Sequence, residues 1–331
     1  MSEVLKAGGA CIDPSDMARP RDTGDVVSRG VPYKYAQPAF DIDRAIANHL
    51  GLEGSEFVVD VGSHRSDFLT LLYTEHQHMG ELVGVEPLEN GPIAMGSYYL
   101  HQDFLSSSIT PEEDRLILGS QQLRVLKSLA QELPGDDNTV DVLTARMMMY
   151  CIPEAEQAKV LEEFVRVLKP EGRAVISTSG PGNKAKHRVF ERAIADYFGI
   201  TAPELMNREF DTGRAETILP DYFRHIYHLS YRGKMVFRNV EEADAYYRSL
   251  VTMAPYYQPS ITAYEMTEAI ADIVVPEVER QISRDGAFFD FIEKDVFFCS
   301  NDPEGLNLAP LNMAALTGPE RILGYTRREI S

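Results

Sequence analysis

The sequence predicts an α/β protein: a mostly parallel sheet with helices on both faces. Three observations carry this. Short, β-branched apolar runs recur as FVVDV (57–61), ELVGVE (81–86), VDVLTA (140–145) and RAVIST (173–178), as expected of strands buried on both faces. Between them lie segments of helical periodicity. The two kinds alternate at a spacing suited to βαβ units, whose right-handed crossovers nearly fix the topology.

The elements follow in order. Residues 1–30 mix Gly, Pro, Asp and Arg without period and read as a flexible arm. DIDRAIANHL (41–50) has apolar residues at helical spacing, and Gly51 closes it. After the first strand Gly62 opens a turn, and SDFLTLLY (66–73) reads as a helix. YYLH (98–101) is a weaker third strand. Residues 111–133 begin with Pro111 at a first helical position and read as one long amphipathic helix. In 154–168 the apolar positions Val160, Leu161, Phe164, Val165 and Leu168 share a face, and Lys169-Pro170-Glu171-Gly172 ends the helix before the fifth strand. Beyond 183 helices dominate; 225–230 and 287–299 read as further strands, the latter as an edge or antiparallel strand. The division that results is an arm (1–30), a ligand-binding core (31–238), a helical cap (239–283), the last core strand (284–300) and a tail (301–331).

The chain has 331 residues, with 32 Lys and Arg against 51 Asp and Glu, a net charge of −19. Such a surface repels nucleic acid and anionic membrane, so a small-molecule partner is expected. No apolar run is long enough to span a bilayer, and residues 1–30 lack a leader's apolar core. Cys11, Cys151 and Cys299 are scattered, which points to a reducing, cytoplasmic setting without disulfides or zinc. His76 and His78 lack a third nearby ligand, so no metal is expected. A homodimer is compatible with the sequence.

Open parallel sheets bind ligands beyond the carboxyl ends of their strands. Those positions here are Asp60-Val61-Gly62-Ser63-His64-Arg65-Ser66, Glu86-Pro87, Asp103-Phe104 and Arg146. One carboxylate offers two acceptors to vicinal hydroxyls, so Glu86 suits a ribose. An acid after the third strand suits an exocyclic amine, and Gly62 allows close approach of backbone to a ligand.

VVDVG (58–62), GVEP (84–87), QDF (102–104), VDVLTARMMMYCIP (140–153) and RVLKPEGRAVIST (166–178) stand in an order that resembles the class I S-adenosylmethionine-dependent methyltransferases, small-molecule type. The resemblance implies a Rossmann-like, seven-stranded sheet and S-adenosyl-L-methionine as cofactor. It places Asp60, Gly62 and Ser63 at the methionine part and Glu86 at the ribose. Asp103 falls at the adenine amine, with Phe104 and Pro87 beside the ring. Ala145 and Arg146 lie under the sulfonium, and Tyr33 or Tyr35 closes over the ligand. The family's usual glycines are replaced by His64 and Ser66; His64 and Arg65 offer donors to the cofactor carboxylate instead. The implied reaction is in-line methyl transfer to an O, N or C nucleophile, with His225, His228 or a cap tyrosine such as Tyr257 as base. Two alternatives stand beside it: non-methylating chemistry on the methionine chain, such as cyclisation, and a non-enzymatic binding protein on the same fold. For individual residues a plainer role competes. Asp60 can cap a helix, Glu86 can be a surface carboxylate, and Arg146 can be a core-edge arginine paired with an acid.

Overall fold

The computed structural model describes residues 36–37, 42–63, 66–86, 109–110, 115–118, 121–200, 210–248, 261–309 and 324–330. Its strands are β1 (Ala36–Gln37), β2 (Val58–Val61), β3 (Leu82–Glu86), β4 (Ile109–Thr110), β5 (Arg115–Leu118), β6 (Gln121–Lys127), β7 (Val140–Arg146), β8 (Leu168–Ser179), β9 (His225–Phe237), β10 (Phe288–Ser300) and β11 (Gly324–Ile330). Its helices are α1 (Ile42–Leu50), α2 (Asp67–Glu75), α3 (Glu154–Val167), α4 (Ala185–Tyr197), α5 (Thr212–Ile218), α6 (Val240–Arg248) and α7 (Ala263–Asp285), besides short 3-10 turns.

All strands join one sheet. Seven form its body in the order β9-β10-β8-β7-β2-β3-β6, and only β10 runs against the rest. The seven-stranded, mostly parallel core expected from the sequence is thus present. The hairpin strands β4 and β5 extend the β6 edge, and β1 and β11 both pair with the outer side of β9. The last core strand is antiparallel as expected, but it lies between β8 and β9 rather than at an edge.

Alternate strand residues feed two cores. Val58, Val142, Val175, Leu229 and Val296 face α1, α2, α4, α6 and α7. Val59, Leu143, Ile176, Ile226 and Phe297 face α3 and α5. This period-two split explains the near-continuous apolar runs of the central strands.

One region departs from expectation. The helix read over 111–133 is absent; its residues supply β5 and β6, and β6 is the strand that pairs in parallel with β3. The third core strand is therefore Gln121–Lys127, and the expected strand at 98–101 lies outside the described residues. Leu116, Leu123 and Ala130 also satisfy a helical period, which is why the segment reads as a helix. Burying Leu123 against the sheet and pairing Arg124 with Glu81 favours the strand. The signal against a helix was Gly119-Ser120, a turn dipeptide between the paired residues Leu118 and Gln121.

Candidate functional site at the carboxyl ends of the central strands

Strands β2 and β7 end side by side, Val61 opposite Ala145, so that the turns after them share one edge of the sheet. Asp60, Thr144 and Arg146 project to the same face. Asp60 is fully buried and accepts from Thr144 Oγ1 at 2.7 Å, Arg146 Nη2 at 2.9 Å and Arg146 Nε at 3.3 Å. Arg146 Nη1 also donates to Asp43 Oδ1 at 2.6 Å, in the first turn of α1, and its guanidinium lies 4.4 Å from the Phe68 ring centroid. Burial opposes this charge, but Asp43 and Asp60 outweigh burial and hold the guanidinium protonated. Of the two readings of Arg146, the structure shows the ion-paired one. Asp60 has both oxygens committed, so it orients this edge.

After β2 the chain turns at Gly62, with φ +68°, into Ser63, which is fully buried. Gly62 N and Ser63 N both donate to Val85 O, at 2.8 and 3.2 Å, tying the turn to β3. A Cβ on Gly62 would stand 2.7 Å from Met148 Cβ. The space above this glycine is filled by a methionine from the β7 turn, so close packing accounts for the glycine. Ser66, with φ 54°, opens α2. The hydroxyls of Ser63 and Ser66 are buried without a hydrogen-bond partner among the described residues. Both crowd the face of Gly84 in β3, where a Cβ would stand 2.6 Å from Ser63 Oγ and 3.2 Å from Ser66 Oγ. Buried hydroxyls left unpaired are costly, which makes them candidates for a ligand's polar groups.

Glu86 ends β3 at the same edge, only 6% exposed. Its neighbour in register is Lys127, the last residue of β6. Because β6 is the third core strand, the positions beyond it are Ser128 and Leu129, and Leu129 is exposed. Asp103 and Phe104 follow the expected strand at 98–101, not the strand that pairs with β3. They lie outside the described residues, as do Tyr33, Tyr35, His64, Arg65, Pro87 and Tyr257. Ala145 is fully buried on the opposite face from Asp60, in the core that packs on α3.

The two histidines are not brought to this edge. His225 pairs with Ser300, which pairs with Arg173, level with Val142 and Val58. It therefore stands at the amino ends of the strands, the far end of the sheet. His228 is level with Ala145 and Val61, but four strand spacings separate β9 from β2, about 19 Å laterally. It points toward the α5 side, where Nε2 meets Asp295 Oδ1 at 2.7 Å, Nδ1 lies 3.5 Å from Glu216 Oε1, and the ring stacks on Phe297 at 4.3 Å. Burial alone would raise the Asp295 carboxyl, but hydrogen bonds from His228, Thr212 and Ser230 outweigh it and hold the group below the usual range. Both carboxylates engage one imidazole, which makes His228 a fastener between β9, β10 and α5.

Sequence reasoning missed Lys294. It sits in β10 opposite Ser179 and Tyr231, on the Arg146 face. Its Nζ donates to Ser179 Oγ at 3.0 Å and lies 3.6 Å from Met147 Sδ. Burial and the neighbouring Lys184 push its pKa down to about 7, against the pull of Asp43 and Asp295. Its position within FFDFIEKDVFFC was visible as a charge in an apolar strand, but its neighbours come from four separate segments.

Residues 101–176 match the family described as a methyltransferase domain, a segment that holds β6, β7, α3 and most of β8. Two curated relatives agree. The chain is 37% identical over 79 residues to the ubiquinone/menaquinone biosynthesis C-methyltransferase UbiE of Idiomarina loihiensis, covering 24% of this chain and 30% of that one. It is 33% identical over 102 residues to the demethylmenaquinone methyltransferase of Bacillus pumilus, covering 29% and 43%. The chain thus spans less than half the length of either relative. Among solved structures it resembles the YcgJ protein of Bacillus subtilis, with a TM-score of 0.48 and 11% identity over 78% of this chain and 98% of that one.

Proposed function

We propose that this chain binds S-adenosyl-L-methionine through the β2, β3 and β7 turns and transfers its methyl group to a small organic acceptor. The observation that carries the reading is the methyltransferase-domain match over 101–176, whose strands β6 and β7 flank β3 and β2, the strands that lead to Glu86 and to Ser63 and Ser66. When bound, the cofactor supplies an activated methyl on a sulfonium.

The chain's own residues fit such a ligand. Glu86 offers two acceptors to the ribose hydroxyls, at the end of the strand next to β2. Exposed Leu129, beyond β6, offers apolar surface to the purine. The unpaired hydroxyls of Ser63 and Ser66 are available to the amino-acid end. Asp60 and Arg146 hold one another and Asp43, so they fix the relative position of β2, β7 and α1. Met147 and Met148, both partly exposed, line the β7 turn with adaptable apolar surface that helps exclude water. Rate acceleration then comes mainly from holding nucleophile, methyl carbon and sulfur in line. Helices α6 and α7 pack on the same sheet face as Arg146 and are proposed as part of the acceptor's enclosure.

Calorimetry with S-adenosylhomocysteine tests the reading. The wild-type chain should bind it, and Glu86→Gln should weaken binding by roughly 10-fold or more, as expected for losing hydrogen bonds to a charged group. No affinity for either S-adenosylmethionine or S-adenosylhomocysteine would sink the proposal. Release of methylthioadenosine without a methylated product would instead favour non-methylating chemistry.

A further inference from the structure

Four carboxylates lie close enough to act on Lys294 or Lys184, and each has a partner of its own. Asp43 is held by Arg146 at 2.6 Å. Asp295 points to the opposite sheet face, where it meets His228 at 2.7 Å and Thr212 at 2.5 Å. Asp290 receives the backbone N–H groups of Lys186 and His187 at 3.0 and 2.8 Å, at the start of α4. Glu191 lies 3.2 Å from His187 Nε2. Neither lysine has a carboxylate within ion-pairing distance among the described residues.

The lysines also neighbour one another. Lys184, the residue before α4, has φ 50° and a backbone N–H bonded to Phe291 O in the β10 strand. Its side chain meets Tyr246 of α6, with Nζ 5.8 Å from the ring centroid. Among the described residues Lys294 donates to Ser179 Oγ and Met147 Sδ, two neutral acceptors. Both side chains are partly exposed rather than sealed in the core. The pair stands where β8 and β10 meet at the edge of the sheet, beside the Met147 turn.

We propose that Lys294 and Lys184 form the recognition site for a carboxylate on the methyl acceptor, which is therefore a small organic acid. This rests on the methyltransferase reading for the word acceptor, but the anion site itself does not require it. Protonating both amines with no carboxylate at ion-pairing distance among the described residues is costly away from bulk water, and a substrate carboxylate supplies the charge that favours it. Met147 and Met148 offer apolar surface for the rest of such a molecule. Against a chain charge of −19, a local cationic pair is also what lets an anion dwell at this edge. The charged groups that act on Lys294 are Lys184, Asp43 and, from the opposite face of the sheet, Asp295, with Tyr231 across the strand and neutral Ser179 and Met147 beside it. Those that face Lys184 are Tyr246, Glu191 and Asp290. Because Lys294 is held largely neutral in mildly alkaline solution, anion binding should draw a proton onto it.

The test is calorimetry on the full chain at about pH 8 with 4-hydroxybenzoate, benzoate and salicylate as probes, each with and without saturating S-adenosylhomocysteine. Tris and triethanolamine, two cationic buffers of different ionisation enthalpy, report proton uptake. At least one acid should bind roughly 10-fold or more tightly than its methyl ester, with uptake of up to one proton. Lys294→Met and Lys294→Gln should lose both the acid preference and the uptake, while their S-adenosylhomocysteine affinity stays within about two-fold. Equal affinity for acid and ester, retention of the preference in both variants, or no binding by any of the three acids would overturn the proposal. Loss of S-adenosylhomocysteine binding with the acid preference intact would overturn the cofactor reading and leave the anion site standing.

Discussion

At the scale of single residues, charge pairing decides which groups serve structure and which are left for ligands. Arg146 is clasped by Asp43 and Asp60. Removing it leaves two carboxylates facing each other in a buried place. Arg146→Met should cost about 3–5 kcal/mol, read as a lowered urea midpoint. Lys294 is the opposite case, a charge that burial disfavours. Its folded pKa of about 7 lies below the ordinary lysine value of 10.5, so the unfolded chain binds more protons between those values. Stability should therefore rise with pH across that window. Lys294→Met should lack this limb and should melt about 2–4 °C above the wild type near neutrality. Thermal melts of both proteins from pH 6.5 to 10 check the sign; a wild-type melting point that falls relative to the variant would contradict it.

At the scale of elements, the central strands and most helices were legible. FVVDV, ELVGVE, VDVLTA and RAVIST lie in β2, β3, β7 and β8, and the helices at 41–50, 66–73 and 154–168 lie within a few residues of α1, α2 and α3. The segment 111–133 was not legible, because its apolar residues satisfy a helical period and its partner strand is about 40 residues distant in sequence. The strand that pairs with β3 therefore ends at Lys127 rather than before Asp103. The strand assignment has its own test. Leu123 is 1% exposed, whereas Arg124 is a half-exposed residue paired with Glu81. Leu123→Ala should cost about 2–4 kcal/mol, and Arg124→Ala should cost under about 1 kcal/mol. Chemical denaturation of the two variants separates them.

At the scale of the whole molecule, one sheet carries two cores. The chain's surplus over a nucleotide-binding sheet goes into edge strands and into α6 and α7, which pack on the face that also bears Arg146 and Lys294. A cleft of about 500 Å³ lined by Tyr222, Arg224 and Asp302 lies at the other end of the sheet, beside the start of β9. It is remote from Glu86 and Ser63 and belongs to no part of the proposed chemistry. Among the described residues no helix is long and apolar enough to cross a membrane. The charge of −19 is a property of the whole chain and repels itself. Raising sodium chloride to about 0.3 M shortens the screening distance to under 10 Å and should raise the melting temperature. A melting point that falls over that range would mean that attractive pairs dominate the surface.

By itself the sequence determined the α/β class, the strands at the centre of the sheet and the motif order that resembles a methyltransferase. These are local or near-local properties: apolar period, turn residues and short-range spacing. Tertiary structure alone decided which ionisable groups are paired. Arg146 meets Asp43 across 103 positions and Asp60 across 86, Lys294 meets Met147 across 147, and His228 meets Asp295 across 67. A charge's role depends on what stands within a few ångströms of it. Chain folding, rather than residue type, sets that distance, so the fold's outline was readable in the sequence and the division of labour among its charges was not.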